Sequence, residues 1–123
     1  MDEIKSREDY LEAILMLEEK KGNVRSVDVA SELGFTKPSV SIALKKLKEK
    51  GLVVIEDGVF LKLTDEGREI AKKTLDKHEF FTNLFIKIGV DPKTAETEAC
   101  SLEHSISEET FYKIKKYVKS LNI

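Results

Sequence analysis

Apolar residues in the first fifty positions recur every three or four residues, which predicts three short amphipathic helices. The pattern runs through residues 6–21, 27–33 and 37–50. A serine or threonine precedes each stretch and a glycine follows it, and these residue types commonly cap the two ends of a helix. The predicted pairs are Ser6 with Gly22, Ser26 with Gly34, and Thr36 with Gly51.

The spacing of apolar residues changes after the third helix. Residues 52–63 are rich in β-branched and aromatic side chains and are interrupted by Asp57 and Gly58, a pair that favours a two-residue hairpin turn. Two short helices, a capped third helix and a hairpin are together typical of a winged helix-turn-helix. We place this DNA-binding domain at residues 1–70.

Helical spacing returns after the hairpin. Thr64 is expected to cap a long helix that runs to about Ile88, and two further helices are predicted over 92–104 and 107–118. A wing that leads directly into a long helix commonly joins a DNA-binding head to a dimerisation half. The predicted fold class is therefore mainly α with a small β-hairpin wing, with a helical metal-binding and dimerisation domain at residues 71–123.

The charge distribution supports a DNA-binding head although the net charge is only −2. Residues 1–35 carry five basic and nine acidic side chains, whereas residues 36–50 carry five lysines against one glutamate. Base-reading side chains lie near the N-terminus of a recognition helix. The predicted DNA-binding residues are Lys37, Pro38, Ser39, Ser41, Ile42 and Lys45, with Lys46, Lys48 and the wing residue Lys62 placed for phosphates. The competing interpretation is a solvated lysine face.

Two clusters of metal-ligand residue types lie almost ninety residues apart. Cys100, Glu103 and His104 have spacings that place them on one face of a helix, and so do Asp9 and Glu12. Taken alone, the two acids suit an ordinary helix N-terminus, and Cys100 suits a small core position. His78 alone is an unremarkable partly buried histidine. Taken together with His78, the clusters include the chain's single cysteine and both histidines, and such donors fit a divalent first-row metal better than calcium or magnesium.

At this point the chain resembles a known family, the metal-dependent repressors typified by the diphtheria toxin repressor and the manganese transport regulator. The resemblance covers essentially all 123 residues. It is carried by D-Y-L-E-A-I at 9–14, T-K-P-S-V-S at 36–41, G-L-V at 51–53, L-T-D-E-G-R at 63–68, K-H at 77–78 and E-A-C-S-L-E-H at 98–104.

The resemblance implies six metal ligands, which are Asp9, Glu12, His78, Cys100, Glu103 and His104. Manganese-type members have a carboxylate where this chain has Cys100, and iron-type members have a methionine where it has Asp9. The site therefore resembles a hybrid of the two types. The chain is expected to lack the SH3-like domain of the longer iron-type members, since it stops at Ile123.

The resemblance also implies a homodimer that reads a palindromic operator in double-stranded DNA. The candidate core or interface aromatics are Phe80, Phe81, Phe85, Phe111 and Tyr117. The expected function is metal-activated repression of metal-homeostasis genes, with Mn²⁺ or Fe²⁺ as the cofactor and Co²⁺, Ni²⁺, Zn²⁺ or Cd²⁺ as substitutes in vitro.

Three other functions stay open at this stage. A winged-helix repressor could sense oxidation at Cys100 without metal, and the winged helix could instead bind a protein. A metalloenzyme is disfavoured because no nucleophile elbow or phosphate loop is present. One cysteine and no signal peptide favour a cytoplasmic protein. No membrane partner and no small-molecule substrate are expected.

Overall fold

The computed structural model describes the backbone of residues 3–122 and the side chains of residues 6–122. The two outer ends of the predicted domains, residues 1–2 and residue 123, lie outside this range. The described elements are α1 (Glu3–Lys21), α2 (Ser26–Leu33), α3 (Lys37–Glu49), β1 (Val53–Glu56), β2 (Phe60–Leu63), α4 (Asp65–Lys87), α5 (Pro92–Glu103) and α6 (Glu108–Ser120). The predicted fold class, mainly helical with a winged helix-turn-helix, is confirmed.

The chain forms two compact units, one ending at Leu75 and the other beginning at Asp76. The predicted division into functional domains after residue 70 stays a prediction. Within residues 3–122, every helix is too short or too polar to cross a lipid bilayer.

The first unit packs α1, α2, α3 and the hairpin around one apolar core. Antiparallel β1 and β2 pair in a register that places Val53 opposite Leu63. The amide of Leu61 donates a 2.7 Å hydrogen bond to the carbonyl of Val24, which ties the hairpin to the α1–α2 connection. Apolar residues less than one tenth exposed fill the centre, among them Leu11, Ile14, Val24, Val29, Val40, Leu44, Leu47 and Leu61.

The helix starts in this unit match the predictions only in part. Thr36 caps α3 as predicted, since its hydroxyl accepts a hydrogen bond from the amide of Ser39 at 3.3 Å. The prediction for Ser6 was wrong because α1 already begins at Glu3, which places Ser6 inside the helix.

The predicted cap of α2 was wrong by one residue. Ser26 is the first helical residue and Arg25 holds the cap position. The carboxylate of Asp28 accepts a 2.9 Å hydrogen bond from the Arg25 amide and lies 2.9 Å from Nζ of Lys21. The hydrogen bond from Lys21, followed by that from the Arg25 amide, lowers the pKa of Asp28 below its usual value. The start of α2 is thus held by a carboxylate that sequence spacing alone did not single out.

The wing joins α4 through close backbone contacts. Asp57 and Gly58 both have positive φ as the predicted turn requires, but three residues rather than two lie between the strands. The hydroxyl of Thr64 donates to the carbonyl of Gly51 at 2.7 Å and accepts from the amide of Gly67 at 3.1 Å. Thr64 therefore caps α4 as predicted and also fixes its start to the base of the wing.

The second unit packs the C-terminal half of α4 against α5 and α6. Phe81 and Phe111 are buried with ring centroids 5.7 Å apart, whereas Phe80 and Phe85 are partly buried. Tyr117 is exposed, so the aromatic residues with unassigned roles divide into core and surface. Ser107 caps α6 by accepting a 3.1 Å hydrogen bond from the amide of Thr110.

Candidate metal centre and nucleic-acid interface

The predicted metal ligands of the second unit meet where α4 passes the end of α5. His78 comes from α4, while Cys100 and Glu103 lie one helical turn apart on α5. His104 is the cap residue after α5 and keeps near-helical dihedrals, φ −89° and ψ −10°, so its side chain stays on the same face. Sequence spacing predicted that Cys100, Glu103 and His104 share one face of a helix. Only the tertiary fold brings His78 of α4 next to that face.

Glu103 lies at the centre of the cluster. One carboxylate oxygen is 3.2 Å from Nδ1 of His78, and the other is 3.2 Å from Nε2 of His104. The Glu103 side chain is 0% exposed, and within the described residues neither of its oxygens accepts a hydrogen bond of good geometry. A buried carboxylate without such donors is costly unless a cation neutralises it. A positive charge next to Glu103 would therefore stabilise this site.

The donor set of the second unit fits a transition-metal ion. The ligand atoms of Cys100, Glu103 and His104 all lie within 4.8 Å of one another, and those of His78 and Glu103 do as well. Donors that lie roughly 2.0–2.3 Å from one ion are separated by at most about 4.6 Å, so these atoms can converge on an ion with small side-chain movements. Sulfur, oxygen and nitrogen donors together favour a first-row metal over calcium or magnesium.

Asp9 and Glu12 belong to α1 in the first unit. They are one helical turn apart on a single face of α1, and both side chains are half-buried. The spacing argument for this pair therefore agrees with the helix observed. Their role as ligands stays a prediction.

The candidate DNA-binding face lies on α3 and the wing. Val40, Leu44 and Leu47 are buried beneath α3, and the predicted contact residues cover its outer surface. Those exposed on α3 are Lys37, Pro38, Ser39, Ser41, Ile42, Lys45, Lys46 and Lys48, while Lys62 on β2 is half-buried. Ile42 is 61% exposed, so its apolar side chain is accessible on the outer surface of α3.

A groove of about 470 Å³ runs between α3 and the hairpin, and Ser41, Lys45 and Lys48 contribute to its lining. Arg25 also lines this groove, and its guanidinium carbon lies 5.4 Å from the centre of the Phe60 ring. Arg25 was missed because its sequence position, between two helices, gives no sign that it faces the wing. The stacking on Phe60 holds the arginine at the edge of the basic face.

Two family models match successive parts of the chain. Residues 4–58 match the family described as "Iron dependent repressor, N-terminal DNA binding domain". Residues 64–122 match the family described as "Iron dependent repressor, metal binding and dimerisation domain". The two matches together extend over both units described above.

Curated relatives are similar over most of this chain. The transcriptional regulator MntR of Escherichia coli O6:H1 is 38% identical over 105 residues, which are 84% of this chain and 66% of that regulator. An uncharacterized HTH-type transcriptional regulator of Methanocaldococcus jannaschii is 37% identical over 116 residues, 93% of each chain.

The fold also matches a solved structure whose sequence is related. A manganese-dependent transcriptional repressor in complex with manganese superposes with a TM-score of 0.81 at 27% sequence identity. The match covers 92% of this chain but only 52% of that repressor. From the two matched halves and the full-length archaeal relative, the chain belongs to the iron-dependent repressor family of metal-dependent transcriptional regulators.

Proposed function

We propose that this protein is a metal-activated transcriptional repressor that binds a palindromic operator as a homodimer and controls metal-homeostasis genes in the cytoplasm. The observation that carries the proposal is the fully buried Glu103 carboxylate between two imidazoles, in the half of the chain that matches a metal-binding domain. The exposed basic face of α3 lies in the half that matches a DNA-binding domain, and in this proposal it contacts the operator.

The proposed ligand set has two parts. In the second unit, His78, Cys100, Glu103 and His104 supply nitrogen, sulfur and oxygen donors. In the first unit, Asp9 and Glu12 supply carboxylates from α1. When bound, a divalent ion neutralises these acidic groups and requires the thiol and imidazoles to be deprotonated.

Activation follows from the chain positions of the two parts. Asp9 and Glu12 lie on the first helix of the DNA-binding head, whereas the other four ligands belong to the dimerisation half. Without a cation the carboxylates repel one another and the arrangement of the heads is less restricted. Selecting one arrangement raises operator affinity, with a coupling free energy of roughly 1–3 kcal/mol.

The proposed activating metal is Mn²⁺ or Fe²⁺. Carboxylates and imidazoles suit both ions, and the carboxylate at Asp9 favours the manganese type. Cys100 favours a softer ion, so Co²⁺, Ni²⁺, Zn²⁺ and Cd²⁺ are expected to substitute in vitro. The manganese dependence of the matched repressor structure agrees with the first choice.

The proposed DNA contacts use the exposed surface of α3. Ser39, Ser41 and Ile42 lie near its N-terminus, where Ile42 suits a thymine methyl group. Lys46, Lys48 and Lys62 are placed for phosphates, and Arg25 joins them from the cap of α2. Homodimerisation supplies the second recognition helix that a palindrome requires.

Operator binding under controlled metal supply tests the proposal. Fluorescence anisotropy with a pool of promoter fragments would be measured without oxygen at fixed salt, with chelator or with Mn²⁺, Fe²⁺, Co²⁺ or Zn²⁺. One metal should tighten binding at least about tenfold, and chelator should reverse the effect.

The same experiment separates the redox alternative. If DNA affinity ignores metal and chelator but falls when Cys100 is oxidised by peroxide, the thiol is the sensor and the metal proposal is wrong. The variant Cys100→Ser would then be insensitive to peroxide. An affinity that responds to neither treatment contradicts both proposals.

A further inference from the structure

Lys77 is a buried lysine that the proposed function does not use. Its side chain is 10% exposed, and its Nζ lies 3.0 Å from a carboxylate oxygen of Glu108. Nζ also donates a hydrogen bond to the carbonyl of Ile106 at 3.3 Å. Burying an ammonium group is costly unless it is paired and hydrogen-bonded, and both conditions are met here.

Lys77 and Glu103 are the two charged residues classed as buried within residues 6–122. Both lie at the same junction of the second unit. Glu103 ends α5, the turn of residues 104–107 follows, and Glu108 begins α6. Lys77 reaches from α4 to both the turn and the first residue of α6. The second buried charge therefore holds the segment that directly follows the metal ligands Glu103 and His104.

The geometry limits how the ligands can be placed. His78 directly follows Lys77 on α4, and Glu103 and His104 closely precede the residues that Lys77 contacts. Within the turn, the amide of Ser105 donates a 3.0 Å hydrogen bond to the Leu102 carbonyl, and Ser107 caps α6. These bonds are local, whereas the hydrogen bond from Lys77 links the turn to α4. The contacts of Lys77 connect the residues that follow α5 to α4, next to the place where Glu103 lies 3.2 Å from His78.

We propose that Lys77 is a positioning residue for the metal centre, which holds the 104–107 turn so that Glu103 and His104 meet His78 before any ion binds. Ligands that are already in place lose less conformational freedom on binding, so affinity increases. The inference rests on the proposed metal-binding function and adds a residue that does not itself contact the ion.

The test compares Lys77→Met with two other variants in the full chain. Methionine keeps an unbranched apolar side chain but removes the ammonium group. Glu108→Gln weakens the same connection from the 51%-exposed partner, so it threatens folding less. Lys113→Met is the matched control, since Lys113 and Glu109 form a 3.2 Å pair that is 72% and 78% exposed.

Two measurements are needed for each variant. Cobalt affinity would be measured by titrating Co²⁺ alone and following the visible absorption that a thiolate ligand intensifies. The melting temperature of the metal-free protein would report folding separately. Lys77→Met should bind Co²⁺ about tenfold more weakly, Glu108→Gln about threefold more weakly, and Lys113→Met as the unchanged protein does.

A purely structural role for Lys77 predicts a different result. In that case the melting temperature of Lys77→Met falls, but its Co²⁺ affinity, measured well below that temperature, stays within twofold of the affinity of the unchanged protein. That result overturns the inference. If Lys77→Met does not fold, an unchanged affinity of Glu108→Gln overturns it. If the unchanged protein itself does not bind Co²⁺, the proposed function fails instead.

Discussion

Glu103 shows how one residue can carry most of the evidence for a site. Its carboxylate is fully buried and lies 3.2 Å from each of two histidines, which are charged only when protonated. If no metal ever bound there, the folded protein would be more stable with an uncharged residue at this position. In the proposed function, a bound metal ion would offset the free-energy cost of burying this carboxylate.

Replacing this charge should separate stability from metal binding. Glu103→Gln removes the buried charge and supplies an amide that can donate to a histidine nitrogen. We expect metal affinity to fall about 100-fold, while the melting temperature of the metal-free protein stays the same or rises. Calorimetry with and without Mn²⁺ measures both quantities. Glu109→Gln, on the exposed face of α6, is the control, and a large loss of metal-free stability in Glu103→Gln would contradict this role.

Cys100 should determine which metal the site prefers. Cys100→Glu exchanges a soft thiolate for a hard carboxylate at the same helical position, which favours Mn²⁺ over Zn²⁺ or Co²⁺. The ratio of the Mn²⁺ and Co²⁺ dissociation constants should shift by about tenfold or more towards Mn²⁺. Competition titrations measure this ratio, and unchanged selectivity would mean that Cys100 does not coordinate the ion.

Only part of the candidate metal centre could be predicted from the sequence, for a physical reason. Cys100, Glu103 and His104 were found because helical spacing alone places them on one face. Lys77 and Arg25 were missed because their roles depend on contacts with residues far away in sequence, the Ile106 carbonyl and the Phe60 ring. Spacing within a helix predicts neighbours along that helix and gives no information about what packs across it.

At the scale of elements, α3 was predicted almost completely. Its threonine cap, its buried apolar face and its exposed basic face all follow from local sequence. The start of α2 was predicted less well because the helix already includes Ser26, and the carboxylate of Asp28 inside the helix accepts a hydrogen bond from the amide of the cap residue Arg25. Ser6 failed as a cap since good helix-forming residues precede it and the helix simply begins earlier.

Lys48 on α3 allows a quantitative test of the DNA-binding face. The side chain is exposed and lines the groove beside the wing, where it is placed to contact a phosphate. Lys48→Gln should reduce the slope of log affinity against log salt by about 0.9 per protomer, and weaken specific and unspecific DNA alike. Lys113→Gln on α6 is a matched control. An unchanged salt slope would remove Lys48 from the interface.

At the scale of the whole molecule, the surface of the second unit bears on assembly. Its half of the chain matches a dimerisation domain, and several large side chains there remain in contact with solvent. Those more than two fifths exposed are Ile86, Ile88, Tyr112, Tyr117 and Leu121. Such residues suit an interface that a second copy of the chain would cover.

Tyr117 is the residue with which to test this interface. It is 66% exposed, so Tyr117→Asp should not disturb the core of a single chain. An aspartate in an apolar interface should weaken self-association roughly 100-fold, because two unpaired charges would be buried in the dimer. Sedimentation analysis measures the change, and Lys93→Asp on exposed α5 is the control. A variant that still dimerises as tightly would place the interface elsewhere.

The backbone contact at Gly67 has a consequence for how this gene can vary. A methyl group at position 67 would overlap the carbonyl of Leu52, whereas the other five glycines have open space and positive φ. Asparagine, which tolerates the left-handed region, is therefore the natural replacement at those five positions. In a population of random variants selected for folding, position 67 would accept no other amino acid. Variants selected for folding alone can change the exposed side chains of α3, but the junction between the wing and α4 will stay the same.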